Sequence, residues 1–574
     1  MPYPQNLGDR SLGPENPRWR RTSAGLPVGG ERIMSSGEAS YSFSTLRRQK
    51  NTRTSESTMR RSIRYPNAVE NTLHEPGSPM NRRKMLSVVG AGGAALAASQ
   101  SARAQSKPAP PNVPNIILIL VDDLRWDEFS AAGHPYLKTP NIDRLAKEGA
   151  TFSRLYHATP LCSPNRACIL TGQYTARHGV YNNASRDNLS HLLKTFPQAL
   201  QRAGYTTAQV GKWHMGNDPT QRPGFDYWVS FPGQGKIIDP NIYENGKLGI
   251  VKGYVTEILT DRAIKFIKDQ KDNSRPYFLH LAHKAVHPDA IQRDDGSVDT
   301  AYGNKYIPAD KYKDVYKDKI FPRDNFGKTP VEGAIGSIMV QQFLDRKQSA
   351  EILKEFAPIL DPGTSEQSIR DRAEMILSID ESVGDIFREL ESSGTLENTV
   401  IILTSDNGYF FGEHGLSIER RLPYEESSRS PLLVRYPAAV RPGTVVDSLV
   451  STVDLAPTIL QLGNAKIENH VQGRSFAPLL SDKYGPSNKR SSVLIENFSD
   501  DLPFPWVLDA DYKCIRTDRY KLIHWTMHPE YDEIYDLKLD PTEKKNIIDT
   551  VQGRKVAEKL REELAHLVRE SISL

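Results

Sequence analysis

The chain carries five short, uninterrupted apolar runs: Asn115–Val121, Thr206–Val210, Tyr277–Leu281, Val400–Leu403 and Leu432–Val434. A strand covered on one face alternates apolar and polar side chains, so continuous runs of this length fit strands covered on both faces. Between the runs the period changes. Pro140 to Gly149 has Pro near its start and Gly just past its end, the asymmetry of a short helix. Around Ser368–Leu390, the residues Ile369, Ala373, Ile376, Ile379, Val383, Ile386 and Leu390 fall on one stripe at three- and four-residue steps. That spacing predicts a long amphipathic helix, closed by Gly394 before the next strand. Strand–helix alternation predicts an α/β fold with a mostly parallel sheet sandwiched by helices. From about residue 490 the runs shorten, to Lys513–Ile515, Tyr520–His524 and Ile534–Leu537, followed by a final helix near Arg554–Leu567. We read residues 113–485 as a catalytic domain and 486–574 as a smaller C-terminal subdomain built on an antiparallel sheet. Residues 285–335, rich in Lys, Asp, Tyr and Pro, read as a long surface insertion.

The N-terminus follows a different pattern. Residues 1–79 are rich in Ser, Arg, Gly, Pro and Asn with no sustained apolar period, and read as a disordered extension. Asn81-Arg82-Arg83-Lys84, an uncharged stretch through Ala98, and Ala102-Arg103-Ala104 supply the basic flank, short apolar region and small-x-small cleavage site of a secretory signal. The run is too short to span a bilayer, so no stable membrane insertion is expected. Its paired arginines resemble a twin-arginine signal, which implies export to the periplasm or beyond. Met80 then reads as the natural start, with residues 1–79 upstream of it.

Composition is ordinary for a globular protein, 38% hydrophobic and 25% charged over 574 residues, and that length suggests two packed units. Charge changes the picture more. Of 74 Lys+Arg and 70 Asp+Glu, 16 basic and 7 acidic residues precede position 105, leaving 58 against 63 in the body. The body is thus net acidic, which argues against nucleic acid as a partner. Three cysteines, Cys162, Cys168 and Cys514, cannot form a disulfide framework.

Several apolar runs end in polar groups. Val121 is followed by Asp122-Asp123, Leu403 by Thr404-Ser405-Asp406-Asn407, Val210 by Gly211-Lys212-Trp213-His214, and Leu281 by Ala282-His283-Lys284-Ala285-Val286-His287. Open parallel sheets bind ligands beyond the carboxyl ends of their strands. One Asp-Asp pair alone is more often a solvated turn or helix cap. Two acidic pairs at equivalent strand ends favour a hard cation, Ca²⁺ or Mg²⁺, over zinc. Leu161-Cys162-Ser163-Pro164-Asn165-Arg166 places Ser163 as a helix cap and Pro164 as the first helical position. Cys162 would then lie at a helix N-terminus as a reactive thiol near a cation.

Cys162-x-Pro164-x-Arg166 followed by Leu170-Thr171-Gly172 resembles the signature of type I sulfatases, in the alkaline phosphatase superfamily. Asp122-Asp123, Gly211-Lys212-Trp213-His214, the Lys284–His287 block, Ser405-Asp406-Asn407-Gly408, Gly412-Glu413-His414-Gly415-Leu416, Tyr424-Glu425-Glu426-Ser427, Tyr520–Ile523 and Glu533–Leu537 resemble family blocks in the family's order. The resemblance covers roughly residues 113–550 and implies an alkaline-phosphatase-like fold and a sulfuric ester hydrolase. It implies that a maturation enzyme oxidises Cys162 to formylglycine, and that Asp122, Asp123, Asp406 and Asn407 ligate the cation, with residue 162 completing the shell. Arg166 would pair with the hydrated aldehyde or the sulfate, and Lys212 with both. A hydroxyl of that hydrate would attack sulfur, His287 would protonate the leaving alcohol, and His214 would take the proton that releases sulfate. His283 is the rival to His287.

Two positions depart from the family. Asn165 stands where Ser or Ala is usual. After Leu416 many members carry a lysine that contacts sulfate, whereas this chain has Ser417-Ile418-Glu419-Arg420-Arg421, so Arg420 or Arg421 must serve. A phosphodiesterase or phosphonate monoester hydrolase is the first rival reading, and a catalytically dead binder of sulfated glycans the second. Intact Cys162, Lys212, His214 and all four metal ligands argue against the second. A sulfated small molecule or glycan is the substrate the family implies.

Overall fold

The computed structural model describes residues 113–321, 365–416, 420–481, 489–498 and 510–573. The extension 1–79, the signal 80–104, residues 322–335 of the insertion and Ser417–Glu419 lie outside the described residues.

All five apolar runs are strands of one ten-stranded sheet. They are β1 (Asn115–Val121), β2 (Thr206–Gly211), β3 (Tyr277–Ala282), β4 (Thr399–Ser405) and β5 (Leu432–Arg435), lying side by side in the order β5-β4-β1-β3-β2. β1 pairs in parallel with β3 and β4, and β2 in parallel with β3. β5 runs antiparallel to β4, so the sheet is mainly parallel but mixed. A run of apolar residues encodes burial on both faces and carries no information about direction.

Side-chain alternation assigns the two faces of β1. Ile117, Ile119 and Val121 pack with the stripes of α1 (Pro140–Glu148), α3 (Val255–Asp269) and α4 (Glu366–Ser392). Ile116, Leu118 and Leu120 join the opposite cluster, with Ala167, Ile169 and Leu170 of α2 (Cys162–Thr171). The expected long helix is therefore present, 27 residues long, and Ser365 caps it by accepting from Ser368 N. The C-terminal region forms a four-stranded antiparallel sheet of Ser492–Asn497, Tyr512–Thr517, Tyr520–Trp525 and Glu533–Asp536, with α5 (Val551–Ile572) packed against it. Val493, Ile495, Tyr512 and Trp525 of this sheet share a core with Tyr409, Phe410 and Tyr424.

The reading of 285–335 as surface changes for the part described. Tyr306, Ala309, Tyr316 and Phe321 are buried in the same core as α4. The segment is polar on average, yet a few aromatic anchors suffice to tie it down.

Candidate active site

Parallel pairing lines up the carboxyl ends of the strands. Val121 lies opposite Ser405, and Gly211 opposite Ala282, so the polar groups that follow are brought to one edge. At Gly211 the backbone takes φ +109, and a Cβ there would lie 2.0 Å from the Ala282 carbonyl oxygen. Only glycine allows that approach, and it lets Lys212 N donate to Ala282 O at 2.8 Å. Asp123 and His214 hold left-handed backbones, at φ +59 and +58. Non-glycine residues in this region are strained and collect at functional sites.

Asp122, Asp123, Cys162, Lys212, Asp406 and Asn407 are all fully buried. Ligand atoms of Asp122, Cys162 and Asp406 lie within 4.8 Å of one another. Asp123 N donates to Asp406 Oδ1 at 3.1 Å, and Asn407 Nδ2 to Asp123 Oδ1 at 2.6 Å. Arg166 donates from Nε to Asp406 Oδ2 and from Nη1 to Lys212 O, both at 2.8 Å. Its Nη2 lies 3.8 Å from Asp122 Oδ2. Lys212 Nζ donates to Asp122 Oδ2. Arg372 of α4, which the sequence analysis missed behind the apolar stripe, donates to the Asp123 carbonyl and to Glu128.

Within this cluster three side-chain oxygens have no hydrogen-bond partner among the described residues: Asp122 Oδ1, Asp123 Oδ2 and Asn407 Oδ1. Buried oxygens in that state are costly unless something positive meets them. An all-oxygen set from carboxylates and an amide fits a hard divalent cation. Arg166 Nη2 is likewise a buried donor without a hydrogen-bond partner among these residues, suited to an anion's oxygen.

The electrostatics follow from crowding. Burial opposes the charge of Asp122, but Lys212, His287 and Arg166 outweigh it and hold the carboxyl well below its usual range. Burial and the neighbouring Asp122 push Asp406 up, to about 7. For Cys162 burial dominates, with Asp122 and Asp406 adding to it against Lys212, and the thiol rises to about 12. Burial and these carboxylates thus work against a thiolate at residue 162, and Lys212 works for it.

The helix also starts differently from the sequence expectation. Cys162 is its first residue and Leu161 its cap position, with no side-chain cap bond. Ser163 is not the cap. Its hydroxyl donates to the His214 carbonyl, and its own N–H is met by Asn183 Oδ1 at 3.0 Å. The remote Asn183 takes over a capping role that Pro164 and Ser163 seemed to announce. Asn165 has its own function in packing. It donates to Asp406 O at 2.6 Å and to His157 Nδ1 at 2.9 Å, and accepts from Thr452 at 2.6 Å, which ties α2 to the end of β4.

Both expected histidines are buried beside the cluster. Desolvation, then Lys212, hold His214 and His287 well below the ordinary imidazole value. His287 Nδ1 bonds to Pro288 O at 2.7 Å, and its Nε2 lies 2.9 Å from Arg420 Nη2. His283, the rival, turns its Nε2 towards Ser382 of α4 at 3.1 Å and is a packing residue. Arg420 Nε lies 3.4 Å from Asp123 Oδ1. Arg421 is buried, and its carbonyl accepts from the Tyr512 hydroxyl of the C-terminal sheet.

The sequence matches the Sulfatase family over residues 114–465 and the N-sulphoglucosamine sulphohydrolase C-terminal family over residues 412–570. The N-acetylglucosamine-6-O-sulfatase of Bacteroides thetaiotaomicron is 32% identical over 509 residues, covering 80% of this chain and 86% of that protein. A solved structure of a protein in complex with its substrate, D-glucosamine-2-N,6-O-disulfate, aligns with a TM-score of 0.67 at 29% identity, covering 80% of this chain and 98% of the other. The phosphonate monoester hydrolase of Agrobacterium radiobacter shares the fold, with a TM-score of 0.61 at 21% identity over 80% of this chain and 96% of its own.

Proposed function

The chain belongs to the sulfatase family and is a sulfuric ester hydrolase, and within that activity we propose that it removes the 6-O-sulfate of a glucosamine unit in a sulfated saccharide, with residue 162 acting as formylglycine beside Ca²⁺. The observation that carries the catalytic part is the meeting of Asp122 and Asp406, at adjoining strand ends, with Cys162 at the start of α2. The sugar and the position of its sulfate rest on the relatives that resemble this chain.

Asp122, Asp123, Asp406 and Asn407 would hold the cation, which supplies charge neutralisation at the ester oxygens. Formylglycine would supply, as its hydrate, a hydroxyl nucleophile and a second hydroxyl, neither of which a thiol has. Arg166 Nη2 and Lys212 Nζ bind the sulfate oxygens and orient the ester for attack from the start of α2. His287 holds the leaving alcohol oxygen within reach of Nε2. Burial first, then the cations Lys212, Lys284 and Arg420, disfavours a proton there while Asp122 favours one, and a sulfate anion engaging Lys212 and Arg420 would shift that balance towards the proton His287 has to donate. His214 accepts a proton on the side of α2. We further propose that residues 80–104 direct export by the twin-arginine route, on the strength of Arg82-Arg83 and Ala102-Arg103-Ala104.

The test is kcat/KM for protein co-expressed with a formylglycine-generating enzyme, with peptide mass spectrometry reporting conversion of Cys162. Substrates are N-acetylglucosamine-6-sulfate, N-acetylgalactosamine-6-sulfate and a phosphonate monoester. We expect the first to lead. A lead for the galactosamine ester overturns the sugar assignment, a lead for the phosphonate overturns the preference for sulfate esters, and full activity with unconverted thiol overturns the nucleophile.

A further inference from the structure

His214 Nε2 lies 2.8 Å from Gln292 Oε1, and the identity of that amide atom is fixed by its other neighbour. Gln292 Nε2 is 2.8 Å from the carbonyl oxygen of Gly296. A carbonyl only accepts, so the amide nitrogen belongs on that side and the amide oxygen faces the imidazole. Gln234 Nε2 donates to the same oxygen at 3.1 Å, which agrees with that orientation. An acceptor in front of Nε2 requires a proton on that nitrogen. The neutral ring then carries its lone pair on Nδ1. Nδ1 lies 3.4 Å from Ser163 Oγ, whose hydrogen is directed to the His214 carbonyl. The basic nitrogen thus faces Ser163 in the first turn of α2, next in the chain to residue 162.

The segment bearing Gln292 is well anchored. Gln292 pairs with Val298 across an isolated antiparallel bridge. Arg293 N donates to Ser297 O at 2.8 Å, Gly296 N to Arg293 O at 3.0 Å, and Ser185 N to Asp294 O at 2.7 Å. Gly296 sits at φ +87, where a Cβ would come within 3.1 Å of Ala184 N. The same turn therefore packs on the Asn183–Ala184 segment, whose Asn183 Oδ1 receives the N–H of Ser163. One loop sets both the ring of His214 and the start of the helix it faces.

We propose that Gln292 is a positioning residue that locks His214 in the Nε2–H tautomer, so that Nδ1 is the atom that accepts a proton from residue 162. The proposal rests on the reading of His214 as the base. In the step, the O–H bond of the sulfated hydrate at formylglycine 162 would break, its electron pair would form the C=O bond as the C–O bond to sulfate breaks and that pair leaves on sulfate, and the proton would pass to Nδ1. The ring becomes imidazolium and keeps its Nε2–H directed at Oε1. Burial, then Lys212 and Arg166, opposes that charge, and Asp122 and the hydrogen bond to Gln292 favour it. Oε1 is the neutral partner that steadies the ring between the two states.

Full-length protein labelled with ¹⁵N-histidine reports which ring nitrogen carries the proton, with His214 assigned by its loss in His214→Gln. We expect Nε2 protonated in the wild type and a tautomer mixture in Gln292→Leu. On matured enzyme, Gln292→Glu sets a carboxylate against Nε2–H and favours imidazolium. The base must be neutral to act, so the acid limb of the kcat profile should move up by about one pH unit. Gln292→Leu should lower kcat by about tenfold with little change in KM. A wild-type ring protonated on Nδ1 overturns the proposal, and that spectrum decides the matter even if Gln292→Leu fails to fold. Unchanged profiles in both variants overturn it as well. Full activity in His214→Ala would instead sink the assignment of His214 as base.

Discussion

Arg420 Nη2 sits 2.9 Å from His287 Nε2 while its Nε lies 3.4 Å from Asp123 Oδ1, so one guanidinium links the cation-binding side of the site to the leaving-group side. A guanidinium only donates, and His287 therefore presents a lone pair at Nε2 and directs Nδ1–H to Pro288 O. A lysine in this place could not span both contacts, because a single ammonium has no planar fork.

Arg420→Ala should lower kcat/KM by about two orders of magnitude, the usual effect of losing one donor to developing negative charge. Arg420→Lys should fall between, because it keeps the charge and loses the fork. Arg421→Ala should lower Tm and leave kcat/KM near the wild-type value. Steady-state kinetics on matured protein checks all three, and equal losses for Arg420→Ala and Arg421→Ala would refute the distinction.

Removing divalent cations should destabilise the protein, because Asp122, Asp123 and Asp406 are buried together with unmet oxygens. Saturating Ca²⁺ should raise Tm relative to a chelated sample, with about 2.7 kcal/mol expected at a hundredfold excess over Kd. Asp123→Asn should lose most of that response. A thermal melt indifferent to both chelator and Ca²⁺ would refute the site.

Four further histidines set the acid limit of the fold. Desolvation holds His157, His178, His280 and His283 at about 3, against 6.5 in the unfolded chain. Between those values the unfolded state binds more protons, so stability is complete above about pH 6.5 and falls as pH drops. Each contributes a slope of up to about 1.4 kcal/mol per pH unit. Urea midpoints should therefore drop steeply below pH 6, and His283→Asn should flatten the decline. An unchanged midpoint down to pH 4.5 would contradict the buried neutral rings.

A chain beginning at Gln105 should fold and, once matured, hydrolyse its substrate as the full chain does. None of the site residues precedes Asp122, and the basic excess is confined to the leader. Circular dichroism and kcat/KM on the two lengths provide the check; insolubility of the shorter chain alone would show that the leader supports the fold.

The strands and the buried polar cluster at their ends were legible because doubly covered strands require unbroken apolar runs, and the polar groups directly after them stand out. Asp122, Asp406 and Lys212 could be named for that reason. Other features depend on tertiary placement. The antiparallel direction of β5 left no mark on Leu432–Val434. Ser163-Pro164 resembled a helix start, yet Asn183, twenty residues on in the chain, meets the amide. The complete burial of Cys162, which works against a thiolate, likewise leaves no mark on the sequence around it. Gln292 lies in a charged, aperiodic stretch where one amide has no distinguishing pattern. Only its contacts with His214 and Gly296 identify it.

Cys162 is wholly enclosed, with Asn165 one turn ahead fastening its helix to the Asp406 carbonyl. Labelling of that sulfur by a thiol reagent therefore reports how far the packing around α2 has opened.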